Sequence, residues 1–247
     1  MMKKTIISAV VLFLSVFAVI PSYAIGYASS CKEAKLPRTD WTFFQIGFWV
    51  DAPSSTANSN VYGLKTGWPI STGIGRVCGN EISWFVAGTD EINGLQACFI
   101  MCFSEFIEGI QASGGTSLSR NVKGIQASLG VCYNQKELQG LQASIVNIGG
   151  NLWGYQTGGV NICDNLMGLQ TSAVNCADDV DGMQFAFVNV CKKLNGVQAS
   201  LVNTAKKSNG VQFGVVNVSS EKGIQFGLVN YIKGAFIPVL PLMNFKF

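Results

Sequence analysis

The chain has 247 residues, of which 13% are charged and 48% apolar, and its 17 basic and 14 acidic residues give a net charge of +3. Such a near-neutral chain offers no electrostatic basis for nucleic-acid binding, which needs clustered lysine and arginine. The sequence contains no histidine, so it lacks the usual general base at neutral pH and the commonest zinc ligand, and we predict neither an enzyme nor a metalloprotein.

The N-terminal segment has the order of regions that is typical of a secretory signal peptide. A short basic start (residues 1–4) precedes an apolar run, which ends at small residues, Ser22 and Ala24. This order predicts that residues 1–24 are a signal peptide that is cleaved after Ala24. We then expect residues 25–40 to form an N-terminal linker, and the protein to be exported to the bacterial outer membrane or cell surface.

The next segment, residues 41–90, is predicted to supply lead-in strands for a single β-repeat domain that extends to residue 247. Residues 41–50, 60–68 and 81–87 are rich in aromatic and β-branched side chains, which favour extended structure. The second of these strands is a degenerate copy of the repeat that follows, with Lys65 in the glutamine position.

Ten tandem repeats fill residues 94–231, and each begins with a Gly–apolar–Gln triplet. Successive glycines are 15, 15, 16, 14, 14, 14, 14, 14 and 13 residues apart. The repeat glutamines are Gln96, Gln111, Gln126, Gln142, Gln156, Gln170, Gln184, Gln198, Gln212 and Gln225. From the fourth copy onward each unit also has an asparagine seven residues after its glycine: Asn147, Asn161, Asn175, Asn189, Asn203, Asn217 and Asn230. A fixed period of this kind indicates a repeat architecture.

Within one unit the side chains alternate with period two. Leu141, Ala143 and Ile145 fall on one face of an extended strand, and Gln142 falls on the other with its polar neighbours. Period-two alternation with abundant valine and isoleucine predicts strands, so the fold is all-β.

The favoured architecture is an up-and-down transmembrane β-barrel of about 14 strands, built from repeats of about 14 residues. Three lead-in strands, ten repeats and a closing strand at residues 236–247 give this even count. The apolar face would contact lipid and the glutamine face would line the interior. Phe247 would be the C-terminal aromatic assembly signal that such barrels carry.

The alternative architecture is a parallel β-solenoid in which each unit is one coil. Leu141, Ala143 and Ile145 would then point into a narrow core. Each glutamine would stack on the next at about 4.8 Å, and the asparagines likewise, as amide ladders. The ladders explain why both amides recur, but six residues is a short return path for an eight-residue strand.

The eight cysteines are predicted to fill repeat positions as small apolar residues, because several share one phase of the repeat and none forms a Cys-x-x-Cys pair. They are Cys31, Cys78, Cys98, Cys102, Cys132, Cys163, Cys176 and Cys191. Their redox state stays open at this point, although a solenoid would permit a disulfide between Cys163 and Cys176.

The ordered set of motifs resembles a family of bacterial surface repeat proteins. Units close to Gly–Leu–Gln–x–Gly–Leu–Val–Asn are introduced by residues 61–64 and closed by a proline-rich aromatic segment, residues 236–245. This chain departs from the pattern in its frequent cysteines and in placing serine four residues after the glycine of several units, as at Ser144 and Ser172. The resemblance implies a surface location and brings no catalytic residue.

We therefore expect a structural or interaction protein of the outer membrane or cell surface, with no catalytic, cofactor-binding or metal-binding residues. The expected partners are outer-membrane lipid and an extracellular ligand or host surface. Two alternatives are a transport pore with a neutral lumen and a secreted β-solenoid adhesin.

Overall fold

The structure is a computed structural model that describes residues 41–50, 52 and 59–246. The predicted signal peptide, the linker at 25–40, Cys31 and Phe247 lie outside these residues. The twelve strands are β1 Trp41–Gly47, β2 Asn60–Gly67, β3 Ile70–Ser83, β4 Val86–Cys98, β5 Met101–Ser113, β6 Thr116–Ser128, β7 Val131–Thr171, β8 Val174–Phe185, β9 Val188–Ser208, β10 Val211–Ser219, β11 Gly223–Ile232 and β12 Val239–Lys246. Among the described residues, no helix is long and apolar enough to cross a membrane.

The strands form one twelve-stranded sheet in sequence order. Every neighbouring pair from β1 to β11 is parallel, whereas β12 runs antiparallel to β11. The register equals one repeat, because Gln126 pairs with Gln111 and Gln212 pairs with Gln198. Each repeat is therefore one coil of a parallel β-solenoid.

The favoured prediction of a 14-stranded barrel is wrong, although the all-β class and the solenoid alternative are confirmed. An up-and-down barrel needs antiparallel neighbours, and here consecutive repeats are parallel and in register. Alternation within a strand is the same in both architectures, so it could not decide the pairing direction.

The return path that counted against the solenoid is itself extended chain. Strand β7 runs without interruption through 41 residues and contains three repeat glycines, Gly140, Gly154 and Gly168. Within β7 the coils close by bending a continuous strand, and elsewhere a break as short as two residues suffices, as between Ser83 and Val86, so no long return loop is needed.

The interior of the coils is lined by columns of identical or similar side chains. An aliphatic column lies two residues before the glycine of each coil from Gly63 to Gly196, and its buried members are Val61, Val77, Ile92, Ile107, Val122, Leu138, Leu152, Leu166, Val180 and Leu194. A second column of small residues includes Cys163, Ala177 and Cys191, which are successive register partners. These columns flank the glutamines, which are also buried.

The sequence-based interpretation of the solenoid assigned the two strand faces the wrong way round. Leu141 and Ala143 are half-buried and Ile145 is 65% exposed, whereas Gln142 lies in the core. Stacked amides satisfy one another from coil to coil, so Gln142 can occupy the interior while Leu141 and Ile145 face outward.

The cysteines follow the prediction in part. Cys78, Cys132, Cys163, Cys176 and Cys191 are thiols, and the last four are buried within the coils. Cys98 and Cys102 instead form a disulfide across one corner. Cys163 and Cys176 are not bonded, because Cys163 pairs with Ala177 and Cys176 pairs with Ile162 in the adjacent coil.

Candidate functional site

The ten repeat glutamines form one continuous ladder of hydrogen bonds. The Nε2 of each glutamine after Gln96 donates to the Oε1 of the glutamine one coil earlier, at 2.6–2.9 Å. The ladder ends at Gln225, whose buried Oε1 accepts no hydrogen bond. Apart from Oε1 of Gln225, the side-chain amides at the predicted glutamine positions bond to their neighbours in the ladder, so these positions serve the architecture.

The ladder begins at a buried ion pair. Gln96 donates to Oε2 of Glu81 at 2.8 Å, and Nζ of Lys65 lies 3.6 Å from Oε1 of that carboxylate. Ser71 and Thr89 also donate to Oε1 of Glu81, at 2.8 and 2.7 Å. Lys65 and Glu81 occupy glutamine positions of their own coils, because Lys65 pairs with Glu81 and Glu81 pairs with Gln96.

The seven asparagines form a second ladder of opposite polarity. Asn147 donates through Nδ2 to Oδ1 of Asn161 at 2.9 Å, and this direction continues coil by coil to Asn230. Glutamines donate toward the N-terminal end and asparagines toward the C-terminal end, so the side-chain dipoles of the two ladders oppose each other.

Serines four residues after the repeat glycine hold the corner beside the asparagine ladder. Ser172 donates to Oδ1 of Asn175 at 2.7 Å, and the repeats at Ser144 and Ser200 make the same bond to the asparagine three residues later. A serine here therefore fixes the turn, and at Asn175 and Asn203 it adds a second donor to the one that the preceding asparagine supplies.

Charge is strictly segregated around the coil. In all ten repeats, no charged residue occurs between the glycine and the eighth residue after it. Every charged residue from Gly94 to Ile232 falls within the four residues before the next glycine. The in-register stacking turns this pattern into two surfaces that run along the solenoid, one charged and one without charge.

We define the uncharged surface as the outward side chains one, three, five and six residues after the ten repeat glycines. Its residues at the fifth position include the exposed Phe99, Leu129, Ile145, Phe187, Leu201, Val215 and Leu228. Trp68 and Trp84 continue this row into the earlier coils, and their rings meet edge to face with centroids 5.1 Å apart. At the third position, Phe213 and Phe226 stack at 5.2 Å.

On the charged surface, ion pairs connect neighbouring coils. Lys123 pairs with Glu108 at 3.0 Å, and Arg120 pairs with Glu105 at 2.9 Å. In the C-terminal half, Lys192 and Lys193 pair with Asp178 and Asp179, and Lys207 pairs with Glu221. A hydrogen bond from Arg76 to Glu91 raises the pKa of that guanidinium above its ordinary value. A shallow groove between these columns is lined by Arg76, Glu91, Glu108 and Lys123, which neutralise one another in pairs.

Two of the buried thiols, Cys132 and Cys191, are unreactive at neutral pH. Burial raises the pKa of Cys132 to about 11 and that of Cys191 to about 12. These thiols therefore stay protonated at neutral pH, and they are inert because only the thiolate is nucleophilic.

The described residues also contain no group of three or more histidine, cysteine, aspartate or glutamate side chains placed to hold a metal ion.

Sequence reasoning missed three features that the repeat alignment contains. Glu81 follows Gly79 by two residues, as each glutamine follows its glycine, but its charge concealed the match. The aliphatic column and the segregation of charge could both have been found in the sequence, because the residues concerned lie at fixed distances from the glycines.

Comparison with protein-family models, with curated proteins and with solved structures finds no match to this chain.

Proposed function

We propose that this chain is a non-enzymatic structural or interaction protein of the bacterial outer membrane or cell surface. The observation that carries the proposal is the segregation of charge: the uncharged surface extends over ten coils, while the ion pairs occupy the other surface. Soluble monomers rarely expose contiguous apolar patches larger than a few hundred Å², and larger ones mark interaction sites.

The interior supports a scaffold role. Most buried amides bond to one another or to backbone carbonyls, and only the side-chain oxygens of Gln45, Asn134 and Gln225 accept no hydrogen bond among the buried amides of the described residues. The buried Glu81 carboxylate accepts three hydrogen bonds. A polar network that is satisfied in this way rigidifies a fold. The pore alternative required an open lumen, and because side chains fill the coils of the described domain, we do not propose a pore.

Cell fractionation tests the proposal. We expect the mature chain in the outer-membrane fraction, accessible to protease added to intact cells, with Ile25 at its N-terminus. Recovery from the cytoplasm with Met1 retained would refute the proposed location. Recovery from the culture medium alone would favour the secreted adhesin.

A further inference from the structure

We infer that the uncharged surface lies on a lipid bilayer, so that the solenoid rests lengthwise in the membrane interface with its charged surface toward water. This inference rests on the proposed function and names the partner of that surface. Three properties of the surface carry it: the absence of charge, the pairing of its strands and its uneven shape.

The absence of charge extends along the whole array. Ten coils at a strand spacing of about 4.8 Å give a surface roughly 45 Å long, and no charged residue interrupts it. A protein partner that binds in water gains specificity from polar groups at the rim and within the contact. Contact with hydrocarbon instead makes every charged side chain costly. The sequence avoids that cost, because no charged residue lies on this surface in any of the ten repeats.

The strands behind the surface are paired along the sheet. Each strand from β2 to β10 pairs with a neighbour on both sides. Unpaired amides and carbonyls are costly in lipid, and this pairing lowers that cost. It also leaves no internal strand edge to which a peptide could be added, which disfavours recognition by strand augmentation.

The uneven shape of this surface argues against its being the binding site for a second copy of this chain. In the row of fifth positions, bulky Ile145 is followed by Gly159 and Ala173, and then by Phe187, which is 65% exposed. A stable protein interface requires packing close to that of a protein interior. Fluid acyl chains fill hollows and surround ridges without a matching shape, and tryptophans such as Trp68 and Trp84 favour the membrane interface.

Two variants with equal exposure test the inference. Leu201 is 53% exposed on the uncharged surface, and Met167 is 54% exposed one residue before a repeat glycine, among the charged columns. Leu201→Glu places a carboxylate against lipid, whereas Met167→Glu places one in water. We expect Leu201→Glu to weaken vesicle binding by at least about tenfold and Met167→Glu to leave it within about twofold.

The measurement is flotation with phosphatidylcholine vesicles after the full chain is transferred from detergent. The inference predicts that the native protein floats equally well at low salt and at about 0.5 M NaCl, because the contact involves no charge. Circular dichroism of both variants confirms that the β-fold is retained, and Phe187→Glu provides a second variant if Leu201→Glu does not fold.

Three results would overturn the inference: no flotation, flotation only with anionic vesicles and its loss in salt, or equal flotation of the Leu201→Glu and Met167→Glu proteins. A discrete dimer that Leu201→Glu dissociates, without flotation, would assign the surface to a second copy. Protease accessibility on intact cells is scored separately. A surface-located protein that fails to float therefore refutes the lipid contact while leaving the proposed function in place.

Discussion

Nζ of Lys65 lies 3.6 Å from Oε1 of Glu81, and both side chains are almost completely buried at the first rungs of the glutamine ladder. Thr89 connects them further, since its hydroxyl accepts a hydrogen bond from Lys65 at 2.6 Å and donates one to Glu81. The amide ladder therefore starts from a compensated ion pair.

Removing one partner of this pair leaves the other charge buried without compensation. We expect Lys65→Gln and Glu81→Gln each to lower the free energy of unfolding by about 3–5 kcal/mol. The double variant should recover most of that loss, because two glutamines at positions 65 and 81 extend the ladder. Urea denaturation of the three proteins measures this, and a double variant that is no more stable than either single variant would contradict the extended ladder.

A glutamine in the middle of the ladder should matter more than the terminal one. Gln156 donates to Gln142 and accepts from Gln170, both at 2.6 Å, so Gln156→Leu leaves one donor and one acceptor without their ladder partners. Each orphaned buried group costs about 1–3 kcal/mol. Gln225→Leu is the matched control, because Oε1 of Gln225 accepts nothing. Equal losses in urea midpoint would argue against a ladder that transmits pairing from coil to coil.

The period and the strand character of the repeat could be predicted from the sequence, because glycine, glutamine and asparagine recur at fixed distances. The pairing direction could not be predicted, since Leu141 and Gln142 alternate identically in a parallel coil and in an antiparallel hairpin. The inward face was misassigned because a single glutamine is costly to bury. In the stack, the glutamine of the adjacent coil supplies the hydrogen-bonding partner that a buried amide needs. This pairing depends on neighbouring coils and is not visible in a single repeat unit. The charge segregation was present in the sequence and needed only the repeats to be aligned on their glycines.

The repeat glycine is predicted to be irreplaceable for steric and conformational reasons. Gly154 has φ of +141°, and a Cβ there would lie 2.1 Å from the carbonyl oxygen of Gly140. Gly154→Ala should therefore lower the urea midpoint sharply. Gly149 is the control, because a Cβ at that position would meet no atom closer than 3.9 Å.

We expect Gly149→Ala to be neutral or to stabilise the protein by up to about 1 kcal/mol, because alanine reduces the freedom of the unfolded chain. Comparable destabilisation by the two alanine substitutions would contradict the close stacking of glycine on glycine.

Stability should fall at alkaline pH in part through Cys191. Its folded pKa of about 12 lies above the ordinary value of 9.0, so the folded state holds the proton more tightly than the unfolded state does. This contribution is complete below about pH 9 and is lost as the pH rises toward about 12. At about pH 10.5 the loss is about 2 kcal/mol.

Cys191→Ala removes that titration and matches its register neighbour Ala177, so its unfolding free energy should decline less between about pH 8 and about pH 10.5 than that of the native chain. Parallel declines for the two proteins would show that the thiol is not buried within the coils.

Zero-length carbodiimide crosslinking of the native chain, followed by peptide mass spectrometry, tests the parallel stack that creates the two surfaces. In the solenoid, ammonium and carboxylate groups of adjacent repeats are 2.8–3.2 Å apart in the pairs Lys192–Asp178, Lys193–Asp179, Lys123–Glu108 and Lys207–Glu221. The solenoid predicts amide crosslinks between these neighbours, each spanning one repeat. Crosslinks between repeats two apart, such as Lys192 to Asp164, with none between adjacent repeats, would contradict the parallel solenoid. That pattern is expected of an antiparallel barrel, because alternate turns of such a barrel lie at the same rim.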